Sequence, residues 1–106
     1  MRVLLDENDP ADLAGLLVAH EVETVSGLGW DGIKNGELLG RMRGGFGALV
    51  TMDQNLPHQQ NLSVQPFGVV LVVAGSNRMI HLRPLVAEIV AALEGIQPGE
   101  LRRVGA

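Results

Sequence analysis

Apolar positions along this chain alternate between short runs and spaced stripes, and that alternation predicts the fold. Val3-Leu4-Leu5, Ala48-Leu49-Val50-Thr51-Met52 and Phe67 to Ala74 are nearly unbroken, with Gly68 interrupting the last. Runs of this kind belong to strands covered on both faces of a parallel sheet. Glu21 to Val25 alternates and reads as a further strand, and Leu101 to Val104 as an edge strand. Between them the spacing turns helical. Leu13, Leu16 and Leu17 form one stripe, ending near His20, and Leu38, Leu39 and Met42 form a second over Lys34 to Met42. Leu85, Val86, Ile89, Val90 and Leu93 form the third and strongest.

Punctuation residues support these limits. Asp9-Pro10 reads as cap and first residue of the first helix, with Asp12 favourable in its first turn. Gly44-Gly45 stops the second helix, Pro84 opens the last, and Gly95 with Pro98 closes it. Asn55 to Leu62 fits either a short helix opened by Pro57 or an ordered loop. Ser26 to Gly32 is a loop carrying Trp30, which is read as a packing residue. The expected fold is a single α/β domain over residues 1–106: a three-layer sandwich around a mainly parallel sheet of four or five strands, joined by right-handed crossovers.

Composition narrows the chemistry. With 3% aromatic residues the core must be built mainly of Leu and Val. The absence of cysteine excludes disulfides, thiolate metal sites and cysteine nucleophiles. Met1-Arg2 leads straight into a strand instead of a leader, and no apolar run reaches spanning length, so the expected setting is cytoplasmic, with no membrane partner. Asn61-Leu62-Ser63 fits the glycosylation pattern by chance in that setting. A net charge of -4 argues against a general polyanion coat, but seven of the eight basic residues are arginines, which suit a local phosphate contact.

Asp6 and Asp53 carry the strongest functional signal. Each ends an apolar run, so parallel strands would bring both to one carboxyl edge, where open α/β sheets bind ligands. Converging carboxylates repel, and a hard divalent cation relieves that repulsion. Glu7 adjoins Asp6 at the same edge, and Ser76 and Asn77 end the fourth strand there, with Arg78 beside them. These neighbours also have ordinary explanations as helix-dipole, capping or surface residues. Glu37, in the first turn of the second helix, is by spacing alone a solvated glutamate. His20, His58 and His81 show no ligand spacing, and the glycine pairs lack a phosphate-loop context.

Taken in order, Val3-Leu4-Leu5-Asp6-Glu7-Asn8, His20-Glu21-Val22, Leu49-Val50-Thr51-Met52-Asp53 and Ser76-Asn77-Arg78 resemble the compact PIN-like proteins, relatives of the VapC-type toxin nucleases. The likeness covers almost the whole chain. It implies a Mg²⁺- or Mn²⁺-dependent ribonuclease, often the toxin of a toxin–antitoxin pair, with RNA as substrate and an antitoxin protein as partner. By that resemblance Asp6 matches the first acid, Glu37 the helix acid and Asp53 the acid after the third strand, serving as both catalytic and metal residues. One departure is plain: where such nucleases carry a further acid, this chain has Ser76 and Asn77. A homodimer is compatible with the apolar surplus of so small a domain.

Two other readings compete. A receiver-like phospho-acceptor domain also sets acids after its first strand and an acceptor aspartate, here Asp53, after its third. The lysine expected after the fifth strand is missing, the sole lysine being Lys34. A degenerate PIN-like module that binds without cutting is the other.

Overall fold

The computed structural model describes residues 1–105; Ala106, the last residue of the expected domain, lies outside them. Five strands form: β1 (Arg2–Leu5), β2 (Glu21–Thr24), β3 (Ala48–Thr51), β4 (Gly68–Val73) and β5 (Leu101–Gly105). They pair in the order β2-β1-β3-β4-β5, every pair parallel. Four α-helical segments accompany them: α1 (Asn35–Met42), α2 (Leu56–Gln59), α3 (Met79–Leu82) and α4 (Val86–Gly95). The radius of gyration is 12.3 Å, close to the ~13 Å of a 100-residue single domain.

Strand alternation sends side chains to two cores. Val3, Leu5, Ala48, Val50, Val70 and Val72 face Leu13, Leu17, Leu82, Ile89 and Leu93 on one side. Leu4, Leu49 and Val69 face Leu38, Leu39, Met42, Leu56 and Phe67 on the other. The three layers follow from this: both faces are apolar, so both must be covered. Gly68 is explained by close approach. A Cβ there would collide with the Ile96 side chain, which packs over the start of β4.

Two expectations are corrected and one open stretch is resolved. The first helix is a single 3-10 segment, Ala11–Leu16, which buries Leu13. Its N-cap residue is Pro10, and no side chain caps it. Asp9 is drawn into the interior instead, only 7% exposed. The last helix begins earlier than Pro84, with α3 and a 3-10 turn (Arg83–Leu85) running into α4. The ambiguous stretch holds both a turn of helix, α2, and a 3-10 turn at Leu62–Val64.

The crossovers also differ from a uniform right-handed set. The segment between β1 and β2 lies on the Leu13 side, and those leading to β3 and β4 lie on the Leu38 side. From β2 onward the chain advances in one direction across the sheet, yet α4 returns to the Leu13 side. The β4–β5 crossover therefore has the opposite hand to the three before it. Sheets with one odd crossover are rare.

Candidate functional site

In an order of 2-1-3-4-5 the connections leave β1 and β3 in opposite directions, which opens a crevice beyond their carboxyl ends. Asp6 and Asp53 stand there. Val3, Leu4 and Leu5 pair in register with Ala48, Leu49 and Val50, so the two chain exits are adjacent. Thr51 joins the acids: its Oγ1 donates to Asp6 Oδ2 at 2.7 Å and accepts the Asp53 main-chain N–H at 3.1 Å. Thr51 is fully buried, so this link is held rigidly from beneath.

Electrostatics at Asp6 are strained. Burial raises its pKa from the ordinary aspartate value, and repulsion from Glu7 and Asp53 adds to the rise. The Thr51 hydroxyl and the Glu7 main-chain N–H, 2.8 Å from Oδ1, oppose it. Asp9 is more strained still. Both its carboxylate oxygens are buried without a hydrogen-bond partner. Burial, then repulsion from Asp6, lift its pKa well above the ordinary value. The Asp6 main-chain N–H gives only partial relief, because it is already donated to Val50 at 3.0 Å.

Asp53 is held by its own turn and by α1. Its Oδ1 accepts the Asn55 main-chain N–H at 3.0 Å, and its Oδ2 accepts the Asn35 amide at 3.1 Å. The residue that α1 brings to the acids is thus Asn35. Glu37 is turned to Arg41, one helical turn on, at 2.7 Å. Positions two apart on a helix point to opposite sides. The acids Asp6 and Asp53 are joined, and Glu37 stands outside their network. Among the described residues no three Asp, Glu, His or Cys side chains are set to hold one metal ion.

Neighbouring loops are tied to this edge. Asn8 Oδ1 accepts the Met52 main-chain N–H at 3.2 Å, and the Asn8 carbonyl accepts the Asn77 amide at 3.3 Å. Asn8 thereby bridges the turns after β1, β3 and β4. Ser76 Oγ accepts the Arg78 main-chain N–H at 3.1 Å and lies 2.6 Å from His81 Nδ1. Arg78 is exposed at the same edge. Glu7 leans toward the loop before α1, accepting the Gly32 N–H at 3.3 Å. Beside Asp53 an open groove of about 830 Å³ runs between Gly32–Glu37 and Gln59–Gln60.

Sequence reasoning missed Asn35, Thr51, Asn8 and Asp9. Thr51 carried a usable signal, a hydroxyl closing an otherwise apolar run two residues before an aspartate. Asp9 carried a misleading one, since an Asp before Pro is also a common cap.

Fold and edge together define a parallel α/β domain with helices on both faces and two aspartates at its switch point, the Asp6 carboxylate tied through Thr51 to the Asp53 main chain. Comparison of the chain with protein families, curated proteins and solved structures found no match. No helix is long and apolar enough to cross a membrane among the described residues.

Proposed function

We propose that this chain is a PIN-like, divalent-metal-dependent ribonuclease, the toxin of a toxin–antitoxin pair. The observation that carries the reading is the Asp6–Thr51–Asp53 link at the switch point. The donor set fits Mg²⁺ or Mn²⁺ held by one or two carboxylates, with water and substrate phosphate completing the shell. Asp6, whose charge is opposed by burial and by both neighbouring acids, is the kind of ligand a cation relieves. Glu37, paired with Arg41 and joined to neither acid, is left out of the two-carboxylate ligand set proposed here.

Asp6 and Asp53 would hold the ion, which when bound supplies charge neutralisation at the phosphate. Thr51 fixes the spacing of the two acids from below, and Asn35 fixes the rotamer of Asp53 from the side. Arg78 grips the RNA backbone without reading bases. The toxin role follows from the resemblance of the motifs.

The test is cleavage of single-stranded RNA with Mn²⁺ by the wild type and by Asp53→Asn. Activity in the first and its loss in the second, with an unchanged fold, support the proposal. Equal activity in both overturns it.

One observation favours a second reading. The strand order is that of flavodoxin-like sheets, which receiver domains share. Transfer of phosphate from acetyl phosphate onto Asp53, without RNA cleavage, would establish it.

A further inference from the structure

The groove beside Asp53 has no role in phosphate hydrolysis as described above, and its lining is unusual in kind. Three carboxamides, Asn35, Gln59 and Gln60, meet there with Gly32, Gly36 and Ile33. The two charges in the lining, Lys34 and Glu37, cancel. A near-neutral wall of amides is a poor phosphate site. It is a good match for a flat ligand whose edge alternates hydrogen-bond donors and acceptors.

With Asn35 donating to Asp53 and to Gln59, it is the Gln60 amide that can present N–H and C=O side by side, the pattern that takes the N6 and N7 edge of adenine with two bonds. The Gln60 amide is seated against the start of α1. Gly36 has no side chain, and the nearest atoms to its missing Cβ are the Gln60 amide nitrogen and oxygen, at 3.7 and 3.9 Å. Asn35 connects the groove to the acids, donating to Asp53 at 3.1 Å and facing Gln59 Oε1 at 3.5 Å. At about 830 Å³ the groove lies within the ~300–1,000 Å³ range of small-ligand sites.

We infer that this groove is a nucleobase subsite: it receives one unstacked base of single-stranded RNA, adenine best, next to the phosphate that a cation on Asp6 and Asp53 would hold. Single-stranded RNA is commonly read this way, by amides on exposed base edges. The inference rests on the ribonuclease reading and adds to it the feature of the substrate that is recognised. Gln60 reads the base edge, Gln59 supports it, and Asn35 couples occupancy of the groove to the position of Asp53.

The experiment is titration of the whole protein, metal-free and without RNA, followed by amide NMR. The probes are adenosine 5′-monophosphate, uridine 5′-monophosphate and ribose 5-phosphate. The expected result is shifts at Gly32–Glu37 and Gln59–Gln60, with adenosine monophosphate bound about tenfold more tightly than uridine monophosphate. Ribose 5-phosphate should leave those signals in place. In Gln60→Leu and in Gln59→Leu, both folded as judged by the remaining spectrum, the preference between the nucleotides should collapse. Equal binding of all three probes, or shifts confined to Arg78 and its neighbours, overturns the base subsite. Because the assay needs no cleavage, base-selective binding by a protein that cuts no RNA would uphold the subsite and sink the hydrolase alone. Cleavage without base-selective binding would do the reverse.

Discussion

Replacing Asp9 by asparagine tests the electrostatic account of the sheet edge. Asp9 is 7% exposed as a residue and neither carboxyl oxygen has a partner, so the folded protein holds its proton more tightly than the unfolded chain does. An acid whose folded pKa is raised makes stability fall as pH climbs from its unfolded value, ~3.9, toward its folded one. The slope for one proton is about 1.4 kcal/mol per pH unit. Asp6, also raised, contributes with the same sign. Glu100 is lowered by Arg102 and so acts in the opposite sense, but only below the ordinary glutamate range. Above about pH 5 it is ionised in both states and adds no slope. Asparagine keeps the shape and much of the polar burial cost, ~1–3 kcal/mol, while removing the ionisation. The wild type and Asp9→Asn should therefore be similar near pH 4 (about the unfolded value) and diverge above it, the variant becoming the more stable. Urea midpoints from about pH 4 to about pH 8, with chelator present and m-values compared, read this directly. Parallel profiles, or a wild type that gains stability across that range, would refute the reasoning.

Other outcomes follow from the same geometry. Asn35→Asp puts a second carboxylate within reach of Asp53. The metal-free variant should melt lower than the wild type, and Mn²⁺ should raise its melting temperature by more than it raises the wild type's, because the ion binds only the folded state. Thr51→Val keeps the volume but removes the hydroxyl between the acids, so stability should drop by about 1.5–3 kcal/mol, the range for a hydrogen bond to a charged group. An unchanged urea midpoint would show that the link carries no weight. If the protein is a toxin, its expression should slow growth and Asp6→Ala should not; equal growth curves would remove that role.

The strands were legible because burial on both faces leaves little freedom of residue type: Val3 to Leu5, Ala48 to Thr51 and Gly68 to Val73 can hardly be anything else. The adjacency of Asp6 and Asp53 followed once β1 and β3 were taken as parallel neighbours, and the register confirms that adjacency. What was not legible depends on helical phase and local competition. Glu37 and Asn35 differ by two positions, roughly 200° around the axis, and only the register of α1 on the sheet decides which one meets Asp53. Asp9 looked like a cap because the sequence reveals a residue's preference but not the pull of packing. The 3-10 segment buries Leu13, and with Leu17 tucked beneath the sheet the aspartate is carried inward. The odd hand of the last crossover has no local signature at all.

The parallel sheet also fixes when its carboxyl-edge crevice can form. No strand here meets its partner through a tight turn, because parallel neighbours need a crossover between them. Val3 waits for Ala48, and Ala48 for Gly68, so pairing is slow and distant in sequence. On a ribosome the opening strand emerges long before the one that flanks it. Asp6 and Asp53 become neighbours only once half of the chain has been made and the third strand has paired with the first.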